Sequence, residues 1–389
     1  TPKPATAMWP AFCFCLLRLF TECHNRKGRR CACLFYARTL GLDGILIFFP
    51  CFLIESKGIF RYTRNRFGDC RKLGETMDVL KYGKAICYSG YRKNQNPLNG
   101  DVPSKEEIAQ DMEILAKDGY TYVRLYDPNV QARRALEIIR ERKLPLQCLV
   151  GIDSQPEVNN PGCMSGKQTF TDEELRQHAQ RNDAQIEKLI ELVKDFPEEV
   201  VAVSVGNENT PPWGAHMVSE ERLIAHAKRL KEALHKPVTF CEGYYEWPAI
   251  HKLADVLDVI SVHSYPYHYG TDIADAVPTN QKHYADIQAM YPDKQVIFTE
   301  LGWSSQNSTP NYYATTGKIR REIVPAKDAP RRASLQNEKR YIEEVSAWLE
   351  QAQIVGFLFE AFDEWWKSEK PSDSECNFGL YTIDRVKKW

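Results

Sequence analysis

The chain has no apolar run long enough to cross a bilayer. Its most apolar stretches near the start are residues 9–20, broken by Arg18, and residues 45–54. The second is about half of the roughly 20 residues that a spanning helix needs. Neither has the basic start, apolar core and small-residue cleavage site of a secretory signal. An excess of one charge sign is also missing. With 51 Lys+Arg against 52 Asp+Glu the formal net charge is -1, which provides no field to gather nucleic acid or anionic lipid. No glycine-rich phosphate loop occurs, so no nucleotide cofactor is expected. Metal-ligand spacing is lacking as well. Cys31-Ala32-Cys33 has no second ligand pair, and His216, His226, His235, His251, His263 and His268 offer no convincing pair on one face. No metal is expected.

What is present is unevenly spread. Residues 1–80 carry 13 Lys+Arg and 6 Asp+Glu, a net of +7, and residues 81–389 carry a net of -8. Seven of the 12 cysteines lie in the first 80 residues. The other five, Cys87, Cys148, Cys163, Cys241 and Cys376, read as buried free thiols, with a Cys163–Cys376 loop disulfide left open by the sequence. The chain opens on Thr1 rather than on methionine, as a piece of a longer chain would. Residues 1–80 are expected to be a leader or a non-native extension, poorly ordered, with membrane association as one role for it. A mildly acidic remainder suits a neutral substrate.

From Lys81 onward short β-branched or apolar runs alternate with longer amphipathic stretches. Such alternation predicts parallel strands with crossover helices. The predicted strands are 83–88, 122–126, 146–152, 200–205, 238–241, 259–263, 296–299 and 355–359. Eight strands close a (β/α)8 TIM barrel, an α/β fold, over residues 81–389. Ser104 with Glu107 and Thr171 with Glu174 are capping-box pairs that start two of the helices. Ile108, Met112 and Leu115 then give one of them an apolar stripe.

A barrel places its active site where the strands end. Polar and aromatic residues collect at those ends: Tyr88 after the first strand, Arg124 to Asp127 at the second, Asn207-Glu208 at the fourth, His263 to Tyr267 at the sixth, Glu300 to Trp303 at the seventh, and Glu360 to Glu364 at the eighth. Glu208 and Glu300 follow apolar strands that stand nearly opposite each other. Two carboxylates across a cleft are the equipment of glycosidic bond cleavage, one protonated and one ionised. Trp303, Tyr265, Tyr267 and Trp213 are the aromatic faces on which a sugar ring would stack.

Val205-Gly206-Asn207-Glu208 and Thr299-Glu300-Leu301-Gly302-Trp303 resemble the two signatures of glycoside hydrolase family 17, the β-1,3-glucanases. Phe359 to Lys367 is similar to the family's strand-eight motif, and Val123 to Tyr126 and Val262 to Tyr267 to its second and sixth strand ends. The resemblance covers roughly residues 82–389. It implies a retaining mechanism with Glu300 as nucleophile and Glu208 as acid and base. It implies that Asn207 meets the sugar 2-hydroxyl, and that Glu360, Glu364 and Lys367 line the glucan subsite and keep Glu300 ionised. Tyr88, Arg124, Asp127, Tyr265 and Trp303 complete the expected substrate contacts. An exported or cell-surface location goes with the family. His263 and Ser304-Ser305 depart from the usual pattern, and residues 307–329 form a candidate lid. A transglycosylase would use the same carboxylates. A non-catalytic sugar-binding barrel and a metalloenzyme barrel are the readings from other classes.

Overall fold

The computed structural model describes residues 79–161, 163, 169–308 and 332–389 with their side chains. It also describes the backbone of five strands before them and two strands between residues 308 and 332. Two compact units divide the chain, Thr1–Met77 and Asp78–Trp389. In the first, Leu17–His24, Arg30–Ala37, Cys51–Glu55, Gly58–Arg64 and Cys70–Lys72 pair in chain order as one antiparallel sheet. These strands lie in the stretch expected to be a leader or extension, and the rest of residues 1–78 lies outside the described residues.

The second unit is a closed barrel. Its strands are β1 (Ala85–Cys87), β2 (Tyr122–Leu125), β3 (Gln147–Val150), β4 (Val200–Asn207), β5 (Val238–Gly243), β6 (Val259–Ser264), β7 (Gln295–Leu301) and β8 (Gly356–Leu358). All are parallel and neighbour one another in chain order, and β8 closes on β1 through Phe357 beside Ala85. Between them run α1 (Lys105–Lys117), α2 (Val130–Arg142), α3 (Asp172–Asp195), α4 (Glu220–Ala233), α5 (His251–Val256), α6 (Ala276–Met290) and α7 (Leu335–Ala352). Each predicted strand is present. Both capping boxes form, Ser104 with Glu107 and Thr171 with Glu174. No helix among the described residues is long and apolar enough to cross a membrane.

Side chains alternate between the two faces of a strand. The inward faces of the eight strands supply Ala85, Cys87, Tyr122, Leu149, Ala202, Cys241, Val259, Ile297 and Phe357 to one packed interior. Leu80 closes one end of it, its backbone held at both N and O by the Gln295 amide. The outward faces, such as Ile86, Val123, Val203 and Phe298, pack against helical stripes that include Ile108, Met112 and Leu115. Burying each such side chain contributes on the order of 1.5–3 kcal/mol. The five cysteines of this unit are buried and free, so the Cys163–Cys376 disulfide does not form; the Cys163 thiol donates instead to the Trp213 carbonyl. After β8 the chain straps itself across its own helices. Arg385 makes a two-pronged pair with Asp111 of α1, and Lys388 reaches Glu338 of α7 and Asp363.

Residues 307–329, expected as a lid, contain an antiparallel strand pair, Asn311–Thr316 with Arg320–Pro325. The remainder of that stretch after Ser308 lies outside the described residues.

Candidate active site

Two irregularities of register shape the site. Between β6 and β7 the pairing shifts after Val262, so that His263 stands beside Glu300. Between β4 and β5 it shifts after Thr239, so that Asn207 stands beside Cys241. Such bulges re-aim side chains at barrel rims. Together they turn the ends of β4, β6 and β7 toward one place. One oxygen each of Glu208 and Glu300 and a ring nitrogen of His263 all lie within 4.8 Å of one another.

Glu300 is buried and held by donors on every side. Its Oε1 accepts from Arg124 Nη1 at 2.7 Å and from the Tyr126 hydroxyl at 3.0 Å. Its Oε2 accepts from the Tyr265 hydroxyl at 2.5 Å. Burial alone would raise its pKa. The neighbouring His263 and Arg124 and the two tyrosine hydrogen bonds outweigh that, and the net shift is downward. Glu300 is therefore an ionised carboxylate in a water-poor setting. Arg124 is fixed in turn. It donates to the Thr299 carbonyl at 3.0 Å and to Asn207 Oδ1, and it lies over the Tyr126 ring.

Glu208 differs in two respects. Its side chain keeps 25% of its surface exposed, against 9% for Glu300, so only Glu208 is open to exchange protons with solvent. Its backbone sits at φ 49°, left-handed for a residue with a side chain, at a cost on the order of 1–3 kcal/mol. Its carboxyl faces His263, whose Nδ1 lies 2.9 Å from Glu208 Oε1. Burial lowers the proton affinity of that imidazole, while the charge of Glu300 and hydrogen bonds to Cys241 and Glu208 raise it, with a net upward shift. Arg124 Nη1 nevertheless lies 3.1 Å from Nε2, a contact that needs a lone pair there. We assign the neutral ring with its proton on Nδ1, donated to Glu208, because the direct contact fixes the tautomer.

The end of β8 carries a second charged group. Lys367 Nζ pairs with Glu360 at 2.7 Å and Glu364 at 2.6 Å, and the Trp366 indole donates to Glu364. Lys367 is thus occupied by these two, and Arg124 is the cation that keeps Glu300 ionised. That corrects the role inferred from the family motif.

Of the other expected contacts, Asn207 and Tyr265 join the cluster. Arg124 joins it too, but buried at 2% exposure and turned onto protein acceptors, so it positions Glu300 and does not reach a ligand. Tyr88 does not join. Cys87 takes the inward position on β1, so Tyr88 faces out and donates to Asp111 at 3.1 Å. Trp303 and Tyr267 are also buried, packed on each other, with the Trp303 indole spent on the Arg332 carbonyl. Neither offers a face to a sugar. Asp127 is half-buried and accepts from the Gln185 side-chain amide and the Asp153 backbone amide; burial raises its pKa to about 6. Trp213 stays half-buried, its indole on the Tyr245 hydroxyl at 3.1 Å.

Two residues of the cluster escaped the sequence reading. Tyr126 ends the same motif as Arg124, and its place on the inner side was readable from the alternation. His263 was noticed only as a departure and otherwise taken for a core or solvated histidine. Its neighbours come from β2, β4 and β7, so no local signal marks it.

Glu208, His263 and Glu300 have the donor atoms to surround a cation. A guanidinium already stands 2.7 Å from Glu300 and 3.1 Å from His263. A divalent ion there would face Arg124 across its own ligands, so the donor set fits proton handling better than metal binding.

A closed eight-stranded barrel with two carboxylates at the ends of β4 and β7, one ionised among donors and one open to solvent, defines a barrel glycosidase. The BtgE/BtgC glycoside hydrolase domain matches residues 85–379, and the chain belongs to that family. Among solved structures it is similar to an endo-laminarinase from Formosa Hel1_33_131, with 23% identity over 77% of this chain and 83% of that one and a TM-score of 0.60. It is also similar to a glycoside hydrolase family 17 β-1,3-glucanosyltransferase from Rhizomucor miehei, at 20% identity over 78% and 94% of the two chains and a TM-score of 0.57. An active-site mutant of that enzyme in complex with laminaritriose aligns with a TM-score of 0.58 at 20% identity over the same shares. These likenesses establish the shared barrel. No curated protein matches the chain.

Proposed function

We propose that the chain is a retaining β-glucan hydrolase of the family 17 type, of glucan β-1,3-glucosidase character, acting on β-1,3-linked or mixed-linkage glucan. The observation that carries this reading is that one oxygen of each carboxylate lies within 4.8 Å of one of the other's. Retaining enzymes need about 5–5.5 Å, whereas inverting ones need roughly 6.5–9.5 Å to admit a water between.

In the first step a Glu300 oxygen bonds to the anomeric carbon while the glycosidic C–O bond breaks. Glu208 gives its proton to the departing oxygen. In the second step water attacks the same carbon, Glu208 takes a proton from it, and the ester bond to Glu300 breaks. Arg124, Tyr126 and Tyr265 hold Glu300 in line and stabilise the carboxylate when it leaves. Laminaritriose in the related transferase mutant and the laminarinase among the similar structures favour a β-1,3-linked substrate.

The test is trapping. A 2-deoxy-2-fluoro β-glucoside with an activated leaving group should add one sugar mass to the peptide that contains Glu300. Labelling elsewhere, or first products of inverted anomeric configuration, would refute the mechanism.

Transfer to a sugar acceptor is a second reading. It is favoured by the half-buried Trp213–Tyr245 pair, with Trp213 on the loop that carries Glu208. Oligomers longer than the starting laminari-oligosaccharide would identify it, and shorter ones alone would exclude it.

A further inference from the structure

The acid/base role of Glu208 requires its strained turn to be held, and no part of the mechanism above says what holds it. The chain after β4 is tied at several points. The Glu208 amide donates to the Cys241 carbonyl at 2.9 Å, and the Asn207 amide to Asn209 Oδ1 at 2.9 Å. A further tie comes from a carboxyl group. Glu242, on β5 and fully buried, accepts from both the backbone amide and the hydroxyl of Thr210 on its Oε2, at 3.2 and 2.8 Å. Its Oε1 accepts from the Gly243 amide at 2.7 Å. Among the described residues no lysine or arginine makes an ion pair with it. A buried carboxyl bound only by neutral donors, gripping the residue two positions after the left-handed Glu208, is an expensive choice for ordinary packing.

We propose that Glu242 is a positioning residue for Glu208. By gripping Thr210 it locks the turn and fixes where the Glu208 carboxyl meets the leaving oxygen. This rests on the acid/base reading of Glu208.

The group does this as a neutral acid. Burial, and then the nearby charge of Glu208, raise its pKa to about 8, against the hydrogen bonds from Gly243 and Thr210. At neutral pH it therefore adds little negative charge beside a carboxylate that must ionise during each turnover.

The test compares substrates that do and do not need acid assistance. The full chain with E242Q, the full chain with T210V, and E208A as reference would be assayed on a laminari-oligosaccharide and on its 2,4-dinitrophenyl β-glycoside. The activated leaving group departs without a proton. For E242Q we expect kcat/KM on the oligosaccharide to fall roughly 10- to 100-fold. On the dinitrophenyl glycoside it should fall less than about 3-fold, and T210V should show the same split at smaller size. Equal losses on both substrates, or no loss, would overturn the proposal. If E242Q fails to fold by thermal melting, T210V decides by the same criterion. If E208A itself keeps full activity on the oligosaccharide, the acid/base reading falls, and this inference with it. If E208A shows the split and the folded Glu242 and Thr210 variants do not, only this inference falls.

Discussion

Two charged clusters crown this barrel, and they are built on opposite plans. At β7 a single carboxylate, Glu300, is surrounded by donors: Arg124, Tyr126, Tyr265 and the nearby His263. At β8 two buried carboxylates, Glu360 and Glu364, share the one ammonium of Lys367. The first plan leaves Glu300 ionised. The second leaves the pair short of positive charge. Burial and the charge of Glu364 push the Glu360 pKa well up. Glu364, which burial also penalises, is brought down by Lys367 and by the hydrogen bond from Glu360. Counting glutamates at strand ends does not distinguish these clusters; counting the donors around each does. A nucleophile needs the donor-rich plan, because its charge must survive desolvation.

The sharpest way to break this contrast is E300Q. It keeps the shape of the donor-rich cluster and removes its charge, and kcat/KM on laminarin should drop on the order of 10⁴-fold or more with the fold intact. A drop below 10-fold would put the chemistry elsewhere.

R124M tests how Glu300 keeps its charge. It strands a buried carboxylate and should destabilise the protein by roughly 3–5 kcal/mol in urea unfolding. The pH dependence has a defined sign. The lowered pKa of Glu300 contributes stability that is present above the unfolded value of about 4.3 and is lost as pH falls through the folded value. In R124M that acid-side loss should shrink. An unchanged slope below pH 5 would mean that Arg124 does not set the charge of Glu300.

K367M probes the other plan. It removes the only cation of the β8 pair and should cost about 3 kcal/mol of stability, while kcat/KM falls no more than about 10-fold. A loss as deep as that of E300Q in a folded protein would erase the distinction between the clusters.

W303F is the mildest. The indole is buried and bonded to the Arg332 carbonyl. We expect roughly 1 kcal/mol of destabilisation and an unchanged KM. A KM raised several-fold would restore Trp303 as a sugar contact.

Much of the scaffold was legible. The eight strands lie where short β-branched runs were read, because strand and helix periods are local properties of the backbone. The two capping boxes formed because Ser104 and Thr171 needed only a glutamate three residues on. Within the site, Glu208 and Glu300 were singled out from their place after apolar runs, and the barrel brings their carboxylates close together. Tyr88 and Trp303 were misassigned because proximity to a strand end does not say which face a side chain takes. Cys87 pointing inward decided the first, and the contact of Trp303 with Tyr267 and α7 the second.

The sequence by itself determined the order of strands and helices, the closure into eight, and the two acids to watch, since each depends on spacing along one stretch of chain. Only the tertiary structure decided which donor serves which acid. Arg124, His263 and Lys367 are each separated from alternative partners by bulges in β4–β5 and β6–β7 pairing and by the closing of β8 on β1. A buried charge takes the partner that strand register delivers within about 3–4 Å, and register between distant strands is fixed by packing the whole barrel.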